Sequence, residues 1–173
     1  MITPRYVRVM AAYNAEMNRR LYAAAARLPD AVRRRDGGLF WGSLHATLCH
    51  LMWADRMWMS RFDGWEKPAS KIKESGRLIQ RFDDLAAERA IADRKIEAWA
   101  HLLTEADVAG DLVWFSGATN SGQCRPMGLA IAHFFNHQTH HRGQAHALIT
   151  RNGEDTGDTD LFLLAPDELF DPK

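Results

Sequence analysis

Between residues 133 and 146 the chain reads HFFNHQTHHRGQAH, and five of its eight histidines fall in that stretch. Imidazole is a poor helix former, but it is the side chain that exchanges protons near neutral pH and ligates transition metals most often. On a helical wheel of about 100° per residue, Met127, Ile131, Phe134, Ala145, Leu148 and Ile149 define an inward face. His141 lies inside that face and His137 at its edge. His133 lies further round, His140 further out, and His146 roughly opposite. The inward pair is an HxxxH, a spacing that stacks two imidazoles close enough to grip one ion. Two buried imidazoles without an ion must stay neutral and find hydrogen-bond partners, or carry a desolvation cost. A divalent cation meets both demands, and that reading is preferred here to plain packing.

A catalytic metal site needs a third protein ligand and an open position. In a helical protein the third ligand comes from a neighbouring helix. His45, His50 and His101 are the candidates. His50 is favoured because Ala46, Trp53, Ala54 and Met57 surround it on its own helix face and offer it no polar partner. Asp55 falls among Leu44, Leu48, Leu51, Trp58 and Phe62 on the same wheel. A buried ion pair is its expected role, ahead of a general base near a metal. Arg142, with its fixed fork of donors, could hold a carboxylate such as Asp55. Gly143 is expected to let a neighbouring helix come close, Arg142 and Gln144 to bond a loop or a dimer partner, and Cys49 simply to pack.

Four long helical segments must position these residues. Thr3 and Pro4 supply a hydroxyl N-cap and a first-turn proline, and Pro29 closes the first segment. The second begins near Ser43 and runs to Gly64, apolar on nearly every side, as suits a buried helix. A polar loop with Pro68 and Gly76 follows. The third, roughly residues 83 to 103, is more charged, with a narrow stripe of Leu85, Ile91, Ile96, Trp99 and Leu103. Val113 to Phe115 reads as a strand and SGATNSG as a turn, so a β-hairpin precedes the fourth helix. Pro126 opens that helix and Gly153 stops it. The apolar knot from Leu161 to Leu164 is expected to pack back on the bundle. The stripes imply an all-α four-helix bundle, in the first instance up and down, forming one domain over residues 1–173.

Lys plus Arg and Asp plus Glu balance at 22 each, so no global field attracts nucleic acid or an anionic membrane. Two cysteines, Cys49 and Cys124, are too few for a disulfide framework. With no signal-like N-terminus and no run of bilayer length, a cytoplasmic protein is expected.

LCHLMWADRMW on the second helix and FFNHQTHHRGQAHAL on the fourth resemble the two signature segments of the DinB/YfiT-like family. The likeness spans nearly the whole chain, including the glycine-rich link before the fourth helix and the late DTDLFLLA. It implies an up-down-down-up bundle, with the long loop from Phe62 to Arg81 as a crossover. It also implies a metal held by His50, His137 and His141. Gln138 stands where an acidic residue is frequent in that family. His140, adjacent to His141, also matches the family's HH pair; it points outward and is read as packing or supporting its neighbour. The family implies a metal-dependent enzyme: a transferase or isomerase working with a low-molecular-weight thiol, or a hydrolase. The metal is expected to be nickel or zinc and the substrate a small molecule, with Trp53, Met57 and Phe134 as apolar lining. Three neutral imidazoles leave a divalent ion its full charge, enough to activate a thiol or water. The alternative is a non-catalytic metal- or ligand-binding bundle of a stress response, acting as a homodimer through apolar residues of the first and fourth helices.

Overall fold

The computed structural model describes residues 2–117 and 119–164. Helix α1 spans Pro4–Arg27; Thr3 Oγ1 accepts from the Tyr6 amide at 3.1 Å and Pro4 takes the first turn. A short α2, Asp30–Arg34, follows. Helix α3 spans Leu44–Phe62, with Ser43 Oγ accepting from the Ala46 amide at 3.2 Å. The crossover loop contains a 3₁₀ turn, Ile72–Arg77, and leads to α4, Phe82–Leu102. After α5, Glu105–Ala109, strands β1 (Asp111–Ser116) and β2 (Ser121–Pro126) pair antiparallel, with Val113 opposite Cys124. Asn120 takes φ 50° in their turn, a conformation asparagine tolerates better than most residues. Helix α6 spans Met127–Arg151, and Gly153 at φ 86° ends it. Helix α7 is the single turn Leu161–Leu164.

The helices pack up-down-down-up. Tyr22 stacks on Phe82 and Asn18 bonds Asp93, so α1 and α4 run antiparallel. Phe62 meets Phe134 while His50 meets His141, so α3 and α6 are antiparallel too. Asp55 meets Arg89 and Phe62 meets Trp99, which makes α3 and α4 parallel, as the crossover loop requires. The up-and-down order first read from the stripes gives way to this one because the 19-residue stretch between α3 and α4, residues 63–81, is long enough to return the chain to the starting end.

Two apolar clusters make the core. One gathers Leu21, Leu48, Leu85 and Ile149; the other Val7, Ile96, Ile131 and Phe134. Between them every long helix contributes buried polar groups: Asn14 and Asn18, Asp55, Arg89 and Asp93, Gln138 and Arg142. Arg89 pairs with both Asp55 and, at 2.8 Å, Asp93, while Gln138 Nε2 donates to the other oxygen of Asp55. Burial pushes the Asp55 carboxyl up to about 6, against the pull of the Arg89 guanidinium.

Three expectations are corrected here. Arg89, not Arg142, holds Asp55, because the parallel α3 and α4 bring those side chains together. A Cβ added to Gly143 meets no atom within 4 Å, so this glycine marks no close helix crossing. Close approaches occur instead at Gly37, against the Leu148 side chain, and at Gly76, where an added Cβ would stand 3.1 Å from the Ala46 Cβ. Of the C-terminal apolar knot, Leu161, Phe162 and Leu163 are exposed and only Leu164 packs against the core; the residues after it lie outside those described.

Candidate metal centre

Helix α3 presents His50 and the facing, antiparallel α6 presents His137 and His141 beside the buried polar layer. One ring nitrogen from each lies within 4.8 Å of the others. Nε2 of His50 and Nε2 of His137 are 3.2 Å apart, and the ring centroids of His137 and His141 are 4.5 Å apart. His50 and His141 are buried and His137 is half-buried.

The outer nitrogens are tethered. His141 Nδ1 lies 2.9 Å from Gln144 Oε1, one turn on. An amide oxygen only accepts, so Nδ1 carries the hydrogen and Nε2 is left with a free lone pair. Gln144 Nε2 in turn faces His140 Nε2 at 3.2 Å. His50 Nδ1 meets Ser75 Oγ at 2.9 Å, from the 3₁₀ turn of the crossover loop; Ser75 is fully buried. Burial, reinforced by the neighbouring imidazoles, pushes His50 and His137 down to about 3. Burial lowers His141 as well, partly offset by its bond to Gln144. The three rings are therefore neutral at physiological pH, the form that ligates metal. Nitrogen–metal bonds of about 2.0–2.1 Å put two ligands of a tetrahedral ion about 3.3 Å apart, close to the His50–His137 separation. The donor set fits a nitrogen-preferring divalent ion.

Around the triad, Trp41 stacks on His50 with centroids 4.1 Å apart, and Trp53 lies 6.2 Å away with its Nε1 donating to the Ser70 carbonyl. Beyond His137, His133 sits 5.1 Å from Trp58, which meets Trp114 of β1. Trp53 thus pins the crossover loop to α3. Met57 is half-buried one turn on. Phe134 is placed elsewhere: 1% exposed, it packs on Phe62 and Phe135 in the core and cannot line a pocket. His140 is exposed, its ring 4.9 Å from that of His141. Asp55 and Arg142 belong to the polar layer. His45 is spent on the Ile79 carbonyl at 2.8 Å and His101 is exposed, which leaves neither for the site. Cys49 is buried, its Sγ 3.3 Å from the Ile79 carbonyl.

Sequence reasoning missed Ser75 and Trp41, which come from loops without periodicity. Gln144 had a signal, three residues after His141 on the same face, that was read as a loop or dimer contact.

Among the described residues no helix is long and apolar enough to cross a membrane. The family model described as DinB family matches residues 1–168. No curated protein and no solved structure matches the chain.

Proposed function

The chain belongs to the DinB family, and from that premise we propose that His50, His137 and His141 hold one nickel or zinc ion in an enzyme that acts on a small molecule. The reaction is a thiol-dependent transfer or isomerisation, with hydrolysis as the neighbouring chemistry on the same residues. One observation carries the reading. Three neutral imidazoles from two antiparallel helices converge within 4.8 Å, and two are oriented from behind by Ser75 and Gln144. Three imidazoles serving packing alone would not need ring nitrogens from all three turned toward one another.

A divalent ion bound there supplies Lewis acidity, which lets a thiol or water give up its proton near neutral pH. The protein's part is orientation and exclusion. Ser75 and Gln144 fix the ring planes. Trp41 covers the face of His50 and keeps water from that side. Trp58 and His133 flank the far side, where an apolar or aromatic part of a substrate can lie.

Elemental analysis of protein purified without an affinity tag tests the assignment, beside the His141→Ala variant. About one ion per chain in the parent and its loss in the variant are expected, as for a three-ligand site. Full retention by the variant would overturn the ligand set. A screen of thiols with electrophiles on the loaded protein then tests the reaction class.

A further inference from the structure

On the side of α6 that packs against α1, Arg142 is 6% exposed, and among the described residues its hydrogen bonds go to neutral oxygens. Its Nη1 donates to Asn14 Oδ1 and, at 3.4 Å, to Gln138 Oε1; Nη2 reaches Thr139 Oγ1 at 3.4 Å. The two carboxylates of the core, Asp55 and Asp93, are taken by Arg89. A guanidinium carries five donors in a planar fork, and neutral oxygens at 3.4 Å satisfy that fork poorly.

This side chain lines a cavity of about 320 Å³ between α1 and α6. The segment after α6 covers it: Tyr13 donates to the Thr159 carbonyl at 2.6 Å, and Thr156 Oγ1 lies 2.6 Å from His146 Nδ1. Its polar lining includes Arg20, Arg142, Thr139, His146, Thr156 and Thr159, and Met17 and Leu21 are apolar. Among the described residues no Asp or Glu lines it, although Arg20 pairs with Glu16 at 2.5 Å; Asp155, Asp158 and Asp160 of the covering segment are exposed.

We propose that this cavity is a second binding site, separate from the three histidines, for a compact molecule bearing a carboxylate or phosphate group. The anion pairs with Arg142, and Thr139 and Thr156 offer hydroxyls to its remaining oxygens. A buried arginine fork matches both anions, and low local dielectric strengthens the pairing. The volume is at the small end for ligand pockets, which restricts the occupant to a compact molecule.

The test is an amide NMR titration of the whole chain with inorganic phosphate and, separately, with acetate, at constant ionic strength set by chloride. Saturable shifts confined to residues 13–21, 139–146 and 156–159 are expected with at least one probe. Phosphate alone identifies a phosphate site; acetate, with or without phosphate, identifies a carboxylate site. Arg142→Gln should raise the dissociation constant about tenfold or more. Should that core substitution unfold the chain, Gly143→Phe serves instead. Gly143 lines the cavity, is exposed, and has nothing within 4 Å of an added Cβ, so a larger side chain there is expected to crowd the cavity from the surface and abolish binding, with unchanged thermal unfolding as the check on the core. His50→Ala should bind the probes as the parent does, which keeps this result independent of the metal assignment. Non-saturating shifts, shifts centred on His50 and His137, or binding that survives Gly143→Phe would overturn the proposal.

Discussion

Nε2 of His50 on α3 and Nε2 of His137 on α6 stand 3.2 Å apart, with the His50 ring backed on its far side by the Ser75 hydroxyl. Without an ion, one of these two nitrogens can donate to the other as a neutral ring; with an ion, both lone pairs turn to it. The strength of that site depends on what stands behind the rings as much as on the rings.

Ser75→Ala removes the tether of His50 while leaving all three imidazoles. Loss of such supporting partners commonly lowers metal affinity about 10–100-fold. Competition against a chromophoric chelator should show that drop, with the thermal unfolding of the metal-free protein little changed. An affinity equal to the parent's would mean that Ser75 does not orient the ring.

Gly76→Val attacks the same support through the backbone. The new side chain meets Ala46, whose Cβ would lie 3.1 Å from the added Cβ, so the 3₁₀ turn must move away from α3. Overpacking of this kind costs about 1–3 kcal/mol. Urea unfolding should report that loss, and metal affinity should fall with it because Ser75 travels with the turn.

The metal-free protein should lose stability as pH falls from about 6.5 toward 3. In the unfolded chain the imidazoles take up protons near the ordinary 6.5; in the folded chain His50 and His137 do so only near 3. Through that window the unfolded state binds more protons, so acid favours it, and the stabilisation is complete only above the window. Urea midpoints measured across the window check the slope, and His137→Gln should flatten it. A parent slope no steeper than the variant's would count against neutral buried rings.

Arg89→Ala leaves Asp55 and Asp93 buried without their cation. Breaking a buried pair in this way costs about 3–5 kcal/mol. Asp55→Ala should cost less, because Arg89 keeps Asp93 at 2.8 Å. Urea unfolding of the two variants, with m-values compared to confirm two-state behaviour, decides the order.

The helices and the inward turn of His137 and His141 were legible because helical periodicity is a local property that a wheel displays; the hairpin was legible from its turn residues, while the bundle's order and the joining of His50 to that pair came from the family resemblance. Thr3, Ser43 and Gly153 marked helix ends for the same reason, through local hydrogen bonding and backbone freedom. The buried state of Asp55 was legible from its apolar neighbours, but its partner was not. Arg89 lies 34 residues away, and only the parallel packing of α3 with α4 selects it over Arg142. Phe134 was misplaced because a wheel gives the inward direction without saying whether inward means core or pocket. Ser75 and Trp41 lie in irregular segments, where no period tells which side chain turns inward.

The crossover loop and the distribution of ligands together set an order of events during synthesis. His50 and His137 are 87 residues apart in sequence, and the first leaves the ribosome long before the second. A nascent chain that has made only α1 to α4 carries one imidazole of the set and a serine waiting behind it. The full set of three imidazoles can therefore form only once α6 docks on α3, which makes a centre filled by all three a certificate that translation has passed α6 and that these two helices have met.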